Sequence, residues 1–427
     1  MNITISEDNK FSVMQMMHGT KVSMQVYGQN SLNEDGSLIP FDEQMAIISH
    51  YLHTTETVYS RTYEQRAQGL IADICNVHLA SDDKSCAVEP DVLQYSLFSD
   101  LFSVPFLPIK NPKFTFIDLF AGIGGFRIAM QNIGGKCVFS SEWDEMAKKT
   151  YLLNYGEVPF GDITKETTKS YIPDGFDVLC AGFPCQAFSV AGYRKGFEDT
   201  RGTLFFDVAE IVKRKRPKVV FLENVKNLYT HDNGNTFQVI KSTLEELGYF
   251  VFHKIMSPAE YANVPQNRER IFIVCFDKER VPNYENFVFP EKVKLTRTIH
   301  DCLDHTVSDK RFIYTEKMSH YDELKENITS RDTVYQWRRQ YVRENKSGLC
   351  PTLTANMGTG GHNVPLILSD YGIRKLTPRE CLNFQGFPAE YKFPEVNAIS
   401  ANYKQAGNSV TVPLIEKVCK EIWKIIE

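Results

Sequence analysis

The chain has 427 residues, is 42% hydrophobic and carries a formal net charge of −5. That is enough for one large domain or two to three ordinary ones with cores of their own. It has no apolar stretch of transmembrane length, and its start, MNITISEDNK, lacks the basic and apolar regions of a secretory signal, so a cytoplasmic protein with no membrane partner is expected.

The ten cysteines include no CxxC pair, which argues against zinc and leaves no metal site in view. Residues 1–110 carry 14 acidic and 6 basic side chains, a net of −8, so the remaining 317 residues carry +3. A slightly basic body with local Lys and Arg clusters leaves nucleic acid open as a partner.

Within residues 1–110, EQMAIISHYLHTT and RTYEQRAQGLIADICNVHL show helical spacing with no chemistry attached. This stretch reads as a small appended region of unknown role, ending at the proline-broken SVPFLPIKNPK, Ser103 to Lys113. From Phe114, short apolar runs alternate with helix-length periodic segments, the pattern of a parallel sheet covered by helices. The strand candidates are FTFIDLF, KCVFSSE, VPFGDI, FDVLCAGF, KVVFLENV, YFVFHKIM and RIFIVCF, with helices such as GTLFFDVAEIVKRK and GNTFQVIKSTLEELGY between them. After Phe276 the alternation fades, and helical signals return in LTPRECLNF and VPLIEKVCKEIWKII. The expected organisation is an α/β core over 111–276, an inserted lobe over 277–369 and a segment, 370–427, that completes the core.

The run IDLFAGIGGFRIAM puts Gly122, Gly124 and Gly125 in a strand-to-helix turn where the backbone can approach a ligand. Alone, such a turn fits an empty bend equally well. Glu142 in SSEWD and Asp162 in FGDI fall at the carboxyl ends of the next strands, where open α/β sheets bind ligands. Glu142 lies about 20 residues past the glycines, a spacing at which an acid reaches a ribose hydroxyl. Trp143 offers either a flat face for an adenine or core packing. A pocket for an adenosine without a pyrophosphate is the economical reading.

Cys185, in CAGFPCQAFS, follows the fourth strand and opens onto the same face, with Pro184 fixing φ before it. Glu223 and Asn224 end the fifth strand in FLENV, and Gln266, Arg268 and Arg270 in VPQNRERIF enter the seventh. Singly these are a core thiol, a helix cap and a surface ion pair; together they would converge on one site.

In content and order, DLFAGIGGF, GFPCQAFS, RGTLFFD, FLENVKNL, PQNRERIF, RKLTPRECLNFQGFP and YKQAGNSVTVPL resemble the blocks of the DNA cytosine-5 methyltransferases of type II restriction-modification systems, over about Phe114 to Glu427. The resemblance implies a class I S-adenosylmethionine-dependent methyltransferase fold, a Rossmann-like, doubly wound, mostly parallel seven-stranded sheet, with an inserted target-recognition domain. It further implies S-adenosylmethionine as methyl donor and double-stranded DNA as partner, and leaves open whether a cognate restriction endonuclease acts separately.

The chemistry asks for these residue types. C5 of cytosine is a weak nucleophile, so a thiolate must add at C6 before C5 can attack a methyl group. Cys185 would be that nucleophile, its pKa lowered from about 8.5 by a nearby cation or helix end. Glu223, with Asn224 beside it, would hold or donate a proton at N3, while Arg268 and Arg270 fix the base's O2 and a phosphate. The resemblance assigns Phe120, Gly122, Gly124, Glu142, Trp143, Asp162, Ile163, Pro184, Leu204 and Asn408 to the cofactor.

A base inside a duplex hides C6, so the target must be flipped out. The stretch from Gln186 to Arg201 resembles the family's mobile loop that closes over the flipped base, with Gln186, Ser189 and Arg201 expected at DNA. It carries Ala191 where several relatives have Ser, which leaves open what fills the vacated space. In the lobe, Arg338, Arg339 and Arg343 flank Trp337 and Tyr341, a combination suited to guanines and phosphates. Thr352 and Gln266 complete the expected DNA contacts. A monomer is the expected active species. Three other readings remain at this point: a transfer-RNA cytosine-5 methyltransferase, a nicotinamide-dependent oxidoreductase suggested by the glycine turn alone, and a DNA-binding protein without catalysis.

Overall fold

The computed structural model describes residues 29–33, 36–81, 98–184, 204–318, 320–338, 340–359 and 363–427. Two helices come first, α1 (Phe41–Thr54) and α2 (Glu64–Ser81). A sheet then forms from β1 (Phe114–Leu119), β2 (Gly135–Ser141), β3 (Val178–Ala181), β4 (Val219–Val225), β5 (Tyr249–Met256) and β6 (Arg270–Asp277). Its order is β2-β1-β3-β4-β6-β5. β2, β1, β3 and β4 run parallel, β6 is antiparallel to β4, and β5 is antiparallel to β6. The chain reverses its direction of winding between β1 and β3, the switch point at which sheets of this class open a crevice.

The expected seventh strand, VPFGDI, is reduced to one parallel bridge, Ser141 to Phe160, at the β2 edge. Gly161 and Asp162 turn away there, with the Thr164 N–H donating to Asp162 Oδ1 at 3.0 Å.

Strand alternation builds a core on each face. Phe116, Cys180, Val219 and Phe221 face one side and pack with α3 (Gly125–Asn132) and, near the C-terminus, α9 (Val412–Ile426). Helix α9 buries Val412, Ile415, Val418, Cys419 and Ile422, a stripe of helical period, and Trp423 stacks on Phe114 at 5.2 Å. Ile117, Leu179, Val220 and Leu222 face the other side with α1, α2, α5 (Leu204–Lys215) and α6 (Asn235–Glu246). Between β2 and β3, α4 (Glu145–Tyr155) is capped by Asp144, whose Oδ1 accepts the Met146 and Ala147 N–H groups.

Described parts of the N-terminal region pack directly on the sheet. Met45, Ile47, Ile48, Ala67 and Leu70 belong to the second core, Tyr63 Oη donates to Val138 O at 2.8 Å, and Ser140 N–H donates to His50 Nε2 at 3.1 Å. Beneath them Arg127 Nη1 lies 2.6 Å from Glu157 Oε1, and both side chains are fully buried.

The inserted lobe has its own antiparallel sheet, ordered β10-β9-β7-β8, from β7 (Tyr335–Trp337), β8 (Val342–Glu344), β9 (Leu366–Ser369) and β10 (Gly372–Lys375). Tyr335, Leu366 and Ile373 pack there with Leu324 and Ile328. The boundary expected at 369/370 would cut the β9–β10 hairpin, so the lobe extends to Lys375. Buried Arg374 pairs with Glu380 at 2.7 Å and so ties the lobe to α7 (Pro378–Phe384), which precedes α8 (Ile399–Asn408). No described helix is long and apolar enough to cross a membrane.

Candidate active site

Four strands deliver the site at one sheet edge. β1 runs into a turn in which Phe120, Gly122 and Gly124 all take positive φ, 56°, 55° and 77°. At Gly124 a side chain is disfavoured, because a Cβ would lie 2.4 Å from the Tyr155 ring. Tyr155 Oη donates to Gly124 O at 2.7 Å and Tyr391 Oη to Ile123 O at 2.5 Å. Both phenols are buried supports that sequence reasoning missed, since nothing local distinguishes them from ordinary core aromatics.

Glu142 follows β2 and is buried. Its Oε2 accepts the Gly122 N–H at 2.7 Å, and its Oε1 accepts those of Trp143 and Asp144 at 2.9 and 2.8 Å. Burial raises its pKa against the pull of those donors. Trp143 is 79% exposed, so its ring is not core packing and stands open beside the glycine turn's carboxylate. Ile163 is buried next to Asp162. Leu204 opens α5 and Asn408 closes α8, exposed. A Cβ on Gly125 would lie 2.7 Å from Val410 Cγ2 and 3.0 Å from Ser409 Oγ, so the segment holding Asn408 packs on the glycine turn.

β3 leads to Pro184, exposed and the last described residue before Cys185. Cys185, Gln186, Ser189, Arg201 and Arg339 lie outside the described residues. On β4, Glu223 Oε1 is 3.2 Å from Arg270 Nε. Because β6 is antiparallel, its first residue, Arg270, reaches the edge where β4 ends. Burial lowers the Arg270 pKa while Glu223 acts against it. A Cβ on Gly182 would lie 3.9 Å from Glu223 Oε2, so the carboxyl group sits beside the segment that continues to Cys185.

Three assignments change. Asn224 is buried and committed to backbone: its Nδ2 donates to Phe183 O at 2.9 Å, and its Oδ1 accepts the Val225 N–H at 2.8 Å. It fixes the approach to Cys185 and does not face a reacting base. Gln266 is fully buried, its Nε2 donating to Phe384 O at 2.6 Å, so it offers nothing to DNA. Arg268 is 3% exposed and donates to Leu353 O at 2.7 Å, Ser409 O at 2.7 Å and Gly407 O at 3.3 Å. Its two Nη groups are taken by carbonyls, while its Nε has no partner among the described residues. Burial and then the charge of Arg270 lower its pKa to about 9.

Arg338 and Arg343 are exposed on the β7–β8 hairpin, where Trp337 packs on His320 with ring centroids 4.7 Å apart. The Thr352 hydroxyl already donates to Asn267 O at 2.5 Å.

The family model of the C-5 cytosine-specific DNA methylases matches residues 114–424. The chain belongs to the C-5 cytosine-specific DNA methylases. Among its relatives, the type II methyltransferase M.Bsp6I of Bacillus sp. (strain RFL6) is 52% identical over 312 residues, 72% of this chain and 97% of that protein. M.HpaII of Haemophilus parainfluenzae is 48% identical, over 78% of this chain and 95% of that one. M.HhaI of Haemophilus parahaemolyticus is 43% identical, over 74% and 97%. Among solved structures, the Entamoeba histolytica methyltransferase EhMeth aligns with a TM-score of 0.55 at 17% identity, over 74% of this methylase and 99% of that chain. The S. pombe Dnmt2 methyltransferase gives 0.53 at 17%, over 72% and 97%. The structural likeness carries the class I fold. The methylase is a cytosine-C5 DNA methyltransferase, and residues before Phe114 lie outside the family match.

Proposed function

We propose that the methylase transfers a methyl group from S-adenosylmethionine to C5 of a cytosine flipped out of a short, specific duplex site, with Cys185 as nucleophile. The observation that carries the reading is the Glu223–Arg270 pair at the sheet edge, beside the segment that leads to Cys185.

The Cys185 thiolate forms a bond to C6, and the displaced ring electrons accumulate toward N3, where the Glu223 carboxyl group supplies a proton or a hydrogen bond. Arg270 fixes O2 with directed donors and holds Glu223 in register. S-adenosylmethionine, when bound, would supply an electrophilic methyl group to C5 and be left as S-adenosylhomocysteine. As C5 attacks, the N3 proton returns to Glu223, and loss of the C5 proton to a base then forms the C5=C6 bond and expels the Cys185 thiolate by breaking the Sγ–C6 bond.

The glycine turn and its neighbours fit an adenosine-bearing donor. Gly122 leaves open space where a Cβ would stand, the buried Glu142 carboxylate borders it, and Trp143 presents an uncovered ring. Phe120, Gly122, Gly124, Glu142, Trp143, Asp162, Ile163, Pro184, Leu204 and Asn408 would hold it. Arg338, Arg339 and Arg343, with Gln186, Ser189 and Arg201, would meet the DNA. The names of the relatives support a place in a type II restriction-modification system. In that reading one copy acts in the cytoplasm and a separate endonuclease cuts unmethylated sites.

The test is transfer of a labelled methyl group from S-adenosylmethionine to duplex DNA and to transfer RNA. Incorporation into duplex DNA by the wild type and none by Cys185→Ala is expected. Incorporation into transfer RNA alone would contradict the reading.

A further inference from the structure

The lobe segment 350–353 lies against the core along a seam that local sequence does not announce. Gln266 and Cys350 form a parallel bridge, Asn267 N–H donates to Cys350 O at 2.8 Å, Cys350 N–H donates to Pro265 O at 2.8 Å, and the Thr352 hydroxyl donates to Asn267 O. The next residue, Arg268, extends the seam with its side chain. One arm of its guanidinium reaches Leu353 O in the lobe segment 350–353, and the other reaches Gly407 O and Ser409 O, on either side of Asn408. The contact is tight: a Cβ on Gly407 would lie 2.2 Å from the carbonyl of Thr354.

Three features set this arginine apart from a solvated one. It is buried without a carboxylate of its own, since Glu223 is taken by Arg270 two residues on. Backbone carbonyls from segments 85 and about 140 residues away are therefore its chief compensation. Its five donors sit in a rigid planar fork, so acceptors on different segments are held at fixed relative positions, which a lysine's single ammonium cannot reproduce.

We propose that Arg268 is a positioning residue that couples the recognition lobe to the cofactor-side segment Gly407–Ser409. Docking of the lobe on DNA is thereby felt at Asn408, and cofactor binding is felt at the lobe. The proposal rests on the assignment of Asn408 to the donor pocket and of the lobe to DNA. Because such coupling is reciprocal, it is read as a change in the affinity for one ligand on adding the other.

The experiment is titration of the full-length methylase with S-adenosylhomocysteine, with and without saturating duplex DNA carrying the methylated site, for wild type, Arg268→Lys and Thr352→Val. Thermal unfolding and methyl transfer are recorded alongside. The wild type is expected to bind S-adenosylhomocysteine at least fivefold more tightly with DNA. In Arg268→Lys that gain should fall below twofold, while affinity without DNA changes less than threefold. Thr352→Val removes a seam hydrogen bond without exposing a buried charge, and should reduce the gain two- to threefold. A folded Arg268→Lys that keeps the full gain, or a wild type with no gain, overturns the proposal. If Arg268→Lys does not fold, Thr352→Val decides, and an unchanged gain there overturns it. Wild-type protein that transfers no methyl group to DNA would instead sink the functional reading, independently of the coupling.

Discussion

Arg270 Nε approaches Glu223 Oε1 to 3.2 Å across two neighbouring antiparallel strands, and this pair occupies the sheet edge where β3 sends the chain toward Cys185. The pair exists because β6 runs against its neighbours: only an antiparallel strand could bring its first residue to the end of β4. Replacing Glu223 by Gln keeps the shape and removes the ionisable proton. The expected result is a fall in kcat of about 10²- to 10⁴-fold with a Tm close to wild type, read by steady-state methyl transfer and thermal unfolding. A variant with undiminished kcat would remove Glu223 from the chemistry.

Gly124→Ala should damage both stability and the donor pocket. The φ of 77° disfavours any Cβ, and the added carbon would stand 2.4 Å from the Tyr155 ring. A loss of about 2–4 kcal/mol is expected from strain and overpacking together, with weaker S-adenosylhomocysteine binding at temperatures where the variant is still folded. Chemical denaturation and ligand titration check it, and a variant with wild-type values in both would show that the turn tolerates a side chain.

What the sequence displays and what it hides divide along physical lines. The alternation from Phe114 to Phe276, the stripe of α9 and the acid after β2 are local patterns, and each lies where its period or spacing indicates. Gln266 and Arg268 read as polar residues available to DNA because a buried polar side chain looks the same in sequence as an exposed one. Their partners, Phe384, Leu353 and Ser409, are 85 to 141 residues distant. The same holds for α1, whose helical spacing is visible but whose partner, the β2 face, is not. VPFGDI has the composition of a strand and forms one bridge, because its glycine and aspartate turn the chain out of the sheet. The thiol proposed as nucleophile is legible only in sequence, since Cys185 lies outside the described residues.

Glu157 anchors the N-terminal helices. Burial opposes its charge, yet Arg127, with His50 and His53, holds its carboxyl well below the usual carboxylate range. A carboxylate with a depressed folded-state pKa contributes stability above its unfolded pKa, about 4.3, and loses it as pH falls below that. His50, which burial keeps from protonating, works in the same direction from about pH 6.5 downward, because the unfolded chain takes up the proton first. Glu157→Ala strands the buried Arg127 charge and should cost about 3–5 kcal/mol at pH 7. In denaturant titrations the difference from wild type should shrink below about pH 4. A difference that is equal at both pH values would contradict the ion-pair account.

Asp118 on β1 has the opposite sign. The side chain is fully buried, and burial pushes its pKa up to about 8 despite the pull of the Arg127 charge and backbone N–H. The native state keeps this proton while the unfolded chain releases it above about pH 3.9, so Asp118 weakens folding progressively between pH 4 and 8. Asp118→Asn cannot ionise, and its stability relative to wild type should rise by roughly 2–4 kcal/mol from pH 5 to pH 8. A pH-independent difference in denaturation midpoints would show that the carboxyl group is already charged in the native state.

The central claim is that Cys185 drives methylation of cytosine in one duplex sequence. Its most direct test is conversion sequencing of plasmid DNA from a host lacking cytosine methylation, expressing either the wild type or Cys185→Ala. The account predicts protected cytosines confined to one short motif with the wild type and none with the variant. Soluble wild-type protein that leaves no cytosine protected, or a variant that protects the same motif, would contradict it.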